Sequence, residues 1–91
     1  MELEFDPAKD AANIAKHGIS LADAMLVYNA PNKLTLESAR NGEERLMDVA
    51  MVELAGVVLV LVYVIRGNTV RAISLRRASQ IERRLYEEAQ H

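Results

Sequence analysis

Cysteine is missing from this chain, and so is tryptophan. Without thiols there is no disulfide, no thiolate metal site and no cysteine nucleophile, and the composition suits a reducing compartment. Aromatic residues make up 4% of the sequence against 51% apolar residues overall, so the core has to be built from Val, Leu, Ile, Ala and Met. An apolar fraction that high excludes a disordered tail. Long hydrophobic runs are missing too. The longest, Val57 to Ile65, has nine residues, about half of the roughly 18–20 that a membrane helix needs. The start, Met1-Glu2-Leu3-Glu4, is acidic and has neither the basic residues nor the apolar stretch of an export signal. The expectation is a soluble, cytoplasmic protein without membrane association. Proline and glycine are few and scattered, no linker or repeat interrupts the chain, and residues 1–91 read as one domain. There is no Gly-rich phosphate loop. The only histidines, His17 and His91, lie far apart and lack partner carboxylates at ligand spacing. No metal site and no cofactor are expected.

Charge is present but unevenly placed. Residues 1–65 carry five Lys/Arg and ten Asp/Glu, whereas residues 66–91 carry six Arg, no Lys and three Glu. Arginine offers planar, two-pronged contacts to phosphate, so an anionic ligand should dock on the C-terminal third.

The pattern of residues gives an α+β order. Residues 2–5 alternate as a short strand. Asp6-Pro7 starts a helix that continues from Ala8 to Lys16 and closes at Gly18. Ser20-Leu21-Ala22-Asp23 resembles a capping box and opens a second helix, with Leu21, Ala24, Met25 and Tyr28 at helical spacing. The period then changes to two. Lys33–Leu36 is a strand, 38–43 a loop, Arg45–Glu53 a strand, Ala55-Gly56 a turn and Val57–Arg66 a strand. Gly67-Asn68 is a two-residue hairpin turn of type II′, and Thr69–Arg76 is the last strand. Ser79-Gln80-Ile81-Glu82 is a capping box opening a final helix to Glu88, with Ile81, Leu85 and Ala89 on one stripe. The expected fold is an antiparallel sheet of four to five strands packed against two N-terminal helices, with a helix at the C terminus.

An unbroken hairpin about Gly67-Asn68 pairs Val64 with Arg71, Tyr63 with Ala72, Val62 with Ile73, Leu61 with Ser74, Val60 with Leu75 and Leu59 with Arg76. Opposed residues share a face. One face then holds Val58, Val60, Val62, Val64, Ile73 and Leu75, with Arg71 near the turn, and should lie under the helices. The other holds Leu59, Leu61, Tyr63, Ala72, Ser74 and Arg76, and reads as a shallow binding surface or partner interface.

The strongest chemical constellation is Arg71, Arg76, Arg77, Arg83 and Arg84 with Tyr86. Metal-free RNA cleavage needs a base for the 2′-hydroxyl, cations around the phosphorane and an acid for the leaving oxygen. Arginines can supply the cations, and the N terminus of the last helix at Ser79 can add backbone donors. The same arginines can instead form surface pairs with Glu82, Glu87 and Glu88. His17, after Lys16, can act as acid or base or simply cap its helix. Glu44, between Glu43 and Arg45, is a candidate base or a solvated strand start. Asp48 reads as a surface residue on a half-exposed face.

Three blocks of sequence together resemble the BrnT toxin family. They are Phe5-Asp6-Pro7-x-Lys9 with Asn13 and Lys16-His17-Gly18-Ile19-Ser20; Glu43-Glu44-Arg45; and Arg66-Gly67-Asn68-x-x-Arg71-x-Ile73-Ser74-x-Arg76-Arg77-Ala78-Ser79 with Glu82-Arg83 and Tyr86-Glu87-Glu88. The resemblance implies a RelE-like fold, a metal-independent endoribonuclease that blocks translation, and a cognate BrnA-like antitoxin that binds the toxin and carries the DNA-binding domain. DNA would be met only through that antitoxin, in a dimer or higher complex. His17, Glu44, Arg71 and Arg76 are then the expected catalytic residues, and Lys16, Arg45, Arg77, Arg83 and Tyr86 the expected RNA contacts.

Two functions stay open at this level: a ribonuclease toxin restrained by its antitoxin, and a weakened or inactive relative that acts as a binding module with the antitoxin in operon autoregulation. A helix-turn-helix built from residues 8–17 and 20–28 fits poorly, because residues 20–28 have no Lys or Arg and include Asp23.

Overall fold

The computed structural model describes residues 1–40 (backbone alone at Arg40), 42–52 and 56–91. The expected loop and turn positions Asn41 and Ala55, and the expected strand end Glu53, lie outside the described residues. The elements in chain order are β1 (Glu2–Glu4), α1 (Pro7–His17), a 3₁₀ turn (Leu21–Asp23), α2 (Ala24–Tyr28), β2 (Leu34–Arg40), β3 (Glu43–Val52), β4 (Val57–Arg66), β5 (Thr69–Arg77) and α3 (Gln80–Ala89). This is the expected α+β architecture.

Local chemistry sets most boundaries. The Asp6 carboxylate caps α1 by accepting from Ala8 N at 2.8 Å, Pro7 fills the first helical position, and Gly18 ends the helix at φ 72°. That left-handed backbone suits a residue without a Cβ. Ser20 caps the next turn. Asp23 does not complete a box there; Asp10 of α1 takes the donors instead, from Ser20 Oγ and Leu21 N.

The sheet runs β1-β5-β4-β3-β2. β2 to β5 form the antiparallel meander, while β1 joins the far edge parallel to β5. β1 covers only Thr69 to Arg71. Beyond that stretch the edge of β5 is covered by Asn13 of α1. Its amide oxygen accepts from Leu75 N at 3.2 Å, and its amide nitrogen donates to Leu75 O and Ile19 O, both at 2.8 Å. One side chain thus replaces a missing strand partner, which blunts an exposed edge.

The β4–β5 register departs from the unbroken hairpin. Pairing is regular from Arg66–Thr69 to Tyr63–Ala72, then slips so that Val62 opposes Ser74, Leu61 opposes Leu75, Val60 opposes Arg76 and Leu59 opposes Arg77. Ile73 is the extra residue of a β-bulge. Past the bulge every β5 side chain shares its face with the other set of β4 residues from the one expected. Leu59, Leu61, Tyr63, Val70, Ala72 and Leu75 therefore form the face beneath α1 and α2, where they are buried with Leu21, Ala24 and Val27. Tyr28 of α2 meets the Tyr63 ring edge-on at 5.4 Å. The expectation that the Val58–Val64 face lies under the N-terminal helices is overturned.

Asp48 is a second correction. It opposes Leu61 on the helix-covered face and is 0% exposed. Its oxygens accept from Lys33 Nζ and Thr35 Oγ1, each at 2.7 Å. Lys33 also sits 4.0 Å from the Tyr28 ring centroid. A buried carboxylate needs such partners, and here they tie β2, β3 and α2 together. Burial and the adjacent Asp48 raise the pKa of the Tyr63 phenol, which stays protonated.

The slipped register can be tested with crosslinks, because the chain has no cysteine of its own. The pair V62C/S74C is expected to oxidise to a disulfide, whereas V62C/I73C, opposed only in an unbroken hairpin, is not. Thiol titration after mild oxidation reads the difference.

Candidate functional site

The face opposite α1 and α2 carries the site. On β4 it is made of Val58, Val60, Val62 and Val64. Cross-strand pairing adds Met47, Val49 and Met51 from β3, Leu34 and Leu36 from β2, and Arg71, Ser74 and Arg76 from β5. α3 runs from the end of β5 past β3, and Gln90 just beyond it donates to Asn32 O at 3.0 Å. At that end Val49, Val58 and Val60 are buried. Further along, Leu36, Met47, Val62 and Ser74 are only half-buried, which leaves a shallow floor open between Arg71 and Arg76.

The bulge puts both arginines there. Five residues separate Arg71 from Arg76, so a regular strand would send them to opposite faces. With Ile73 inserted they share one face, on either side of Ser74. Their Cα atoms are then roughly 15 Å apart along the strand, a span that two long side chains can close upon a phosphodiester. Alternation also places Glu43 and Arg45 on this face.

Each of these arginines has a carboxylate of its own. Arg71 is ion-paired with Glu4. Arg45 Nε donates to Glu43 at 3.3 Å, and Arg66 approaches the same carboxylate at 3.6 Å. Arg76 makes a two-pronged pair with Glu82, with Nη1 and Nη2 donating at 2.7 and 2.8 Å. Glu82 belongs to the capping box of α3 and also accepts from Ser79 N at 2.8 Å, while its own N–H bonds to Ser79 Oγ. The expected anion-binding helix terminus is thus filled by the chain's own carboxylate.

These donors, Arg76 first, lower the Glu82 pKa from 4.5 to about 2. A carboxylate that acidic is a poor base near neutral pH, so Glu82 orients Arg76 and caps α3. Because the folded pKa is depressed, the linked stability is present above about pH 4.5 and is lost as pH falls through about 2. E82Q is expected to flatten that acid limb and to cost about 2–3 kcal/mol at neutral pH, after allowance for its partial exposure. Urea melts between pH 2 and 7 check this.

The remaining sequence candidates separate. Glu44 pairs with Ala39, and alternation puts it on the helix side, away from Arg45. His17 lines a cavity of about 410 Å³ with Leu59 and Arg77, also on the helix side. Neither joins Arg71 and Arg76. Lys16, Arg83 and Arg84 are exposed. Tyr86 is 9% exposed and belongs to the core cluster, so its ring anchors α3 instead of lying open to a base. The stripe expected to bury α3 faces outward, with Ile81 70% exposed. The sequence gives no sign of Glu4 at this site or of the Glu43–Arg45 pair, whereas an arginine pair with Glu82 is one of the two readings it leaves open. The five-residue spacing of two arginines in one strand was the available hint, and it is ambiguous without the register.

Among the described residues no helix is long and apolar enough to cross a membrane. A search of curated proteins finds no match. The profile of one family, described as the ribonuclease toxin BrnT of type II toxin–antitoxin systems, matches residues 5–82. With an α+β, RelE-like fold and an arginine-flanked sheet face, this chain belongs to the BrnT family of ribonuclease toxins of type II toxin–antitoxin systems.

Proposed function

We propose that the chain cleaves RNA without a metal, on the open sheet face between Arg71 and Arg76, and so inhibits translation in the cytoplasm until a DNA-binding, BrnA-like antitoxin covers it. The observation that carries this reading is the bulge at Ile73, which turns two arginines of one strand toward a common floor. Their guanidinium groups are suited to a pentavalent phosphorane, where negative charge grows. Glu4, paired with Arg71 and exposed, is the carboxylate best placed to take the 2′-hydroxyl proton, and the departing 5′-oxygen takes its proton from solvent water at this open face. Arg45 extends the cationic rim toward the next phosphate. The metal-free reading is supported by a site whose cations are guanidinium groups.

Incubating the purified chain with single-stranded RNA in EDTA tests the proposal. Cleavage that persists in EDTA and is lost in E4Q supports it. A folded chain that leaves RNA intact at high protein concentration supports the second reading, a binding module that lives with its antitoxin. One feature favours that alternative: every arginine of the site described above already has a carboxylate partner.

A further inference from the structure

Arg76 and Arg77 are adjacent in β5 and so point to opposite faces. Arg76 belongs to the open face. Arg77 is exposed on the helix side, where it borders the cavity beneath the C-terminal end of α1. That cavity, about 410 Å³, has His17 and Arg77 at its margin, apolar walls from Ile19, Val57 and Leu59, and Asp23 beside them. Arg77 makes no ion pair among the described residues, unlike Arg71 and Arg76. Its volume is within the range of small-ligand sites. Apolar walls suit the flat face of a base, and the two cationic or donor side chains suit a phosphate. A carboxylate accepts only, so Asp23 favours a base whose edge offers N–H donors.

We propose that this cavity is a nucleotide subsite, which holds the residue next to the scissile phosphate after the RNA passes around the end of β5 from one face to the other. The inference rests on the ribonuclease reading above and assigns that substrate a path. Arg77 and His17 bind there and take no part in bond breaking.

The test uses the full chain, an RNA with 2′-fluoro groups throughout, which lacks the attacking hydroxyl, and cleavable RNAs of two and ten nucleotides. For R77A the affinity for 2′-fluoro RNA is expected to fall about tenfold. Its binding should depend less on salt, by about 0.7 in the logarithmic slope. KM for the ten-nucleotide RNA, and for the dinucleotide whose two residues both flank the cut, should rise about tenfold with kcat within twofold. H17A should act in the same direction, and D23N should relax base preference beside the cut. A fall in kcat with KM unchanged in R77A would overturn the inference, as would wild-type affinity in both R77A and H17A. If wild-type chain cleaves nothing yet binds 2′-fluoro RNA in an Arg77-dependent way, the ribonuclease reading fails and the subsite stands. If the wild type cleaves and both variants match it, the subsite alone fails.

Discussion

Replacing Arg76 with alanine is expected to slow RNA cleavage by about 10²–10³-fold while leaving the chain folded. Arg76 stands on the open face at the α3 end of the floor, and no other cation shares that position among the described residues. Glu82 holds both terminal nitrogens of its guanidinium, which fixes the group in space. Nε and the second N–H of Nη2 make no bond among the described residues and are the donors left for substrate. The substitution leaves Glu82 bonded to Ser79 N, so the capping box of α3 survives. R76K should recover little, because an ammonium cannot reproduce a planar two-pronged pair. Initial rates with one RNA, beside thermal melts of each variant, measure this. An R76A variant within threefold of wild type would remove the phosphorane role from this residue.

The second large effect concerns stability. N13A is expected to cost about 3–4 kcal/mol, because it leaves the buried N–H and C=O of Leu75 without partners and frees Ile19 O. For a domain of this size that lowers Tm by roughly 12–32 °C. It is also a large share of a total that is commonly about 5–15 kcal/mol. N13D should cost at least as much at neutral pH, because it sets a buried carboxylate oxygen against the Leu75 and Ile19 carbonyl oxygens. Urea and thermal melts give the number, and a cost below 1 kcal/mol would show that the β5 edge holds without this bridge. The same change should lower activity only through the folded fraction, because Asn13 is buried and remote from the open face.

These two residues illustrate how far the sequence could be read. Arg76 is legible as a cation for phosphate on the uncovered face, but alternation counted through Ile73 as an unbroken ladder sets it beside Leu61 and Tyr63 and puts Arg71 under the helices. Asn13 belonged to the family signature without a role, because no local pattern shows that residue 13 meets residue 75. Tyr86 and the Ile81–Leu85 stripe failed for a related reason. Helical periodicity reports which residues share a side, not which side turns toward the sheet.

What the chain determined by itself was local. Asp6-Pro7, Gly18 and the Ser79–Glu82 box set helix ends through bonds within a few residues, and the change to period two marked the meander. The family blocks, too, are contiguous stretches of sequence. The tertiary structure decided the rest: the parallel docking of β1, the burial of Asp48 between Lys33 and Thr35, the bulge that gathers Arg71 and Arg76, and the separation of His17 and Glu44 from them. Each of those is an agreement between residues distant in sequence. Packing free energy selects among such arrangements only when all the partners are present, and one inserted residue is enough to exchange the faces of a strand.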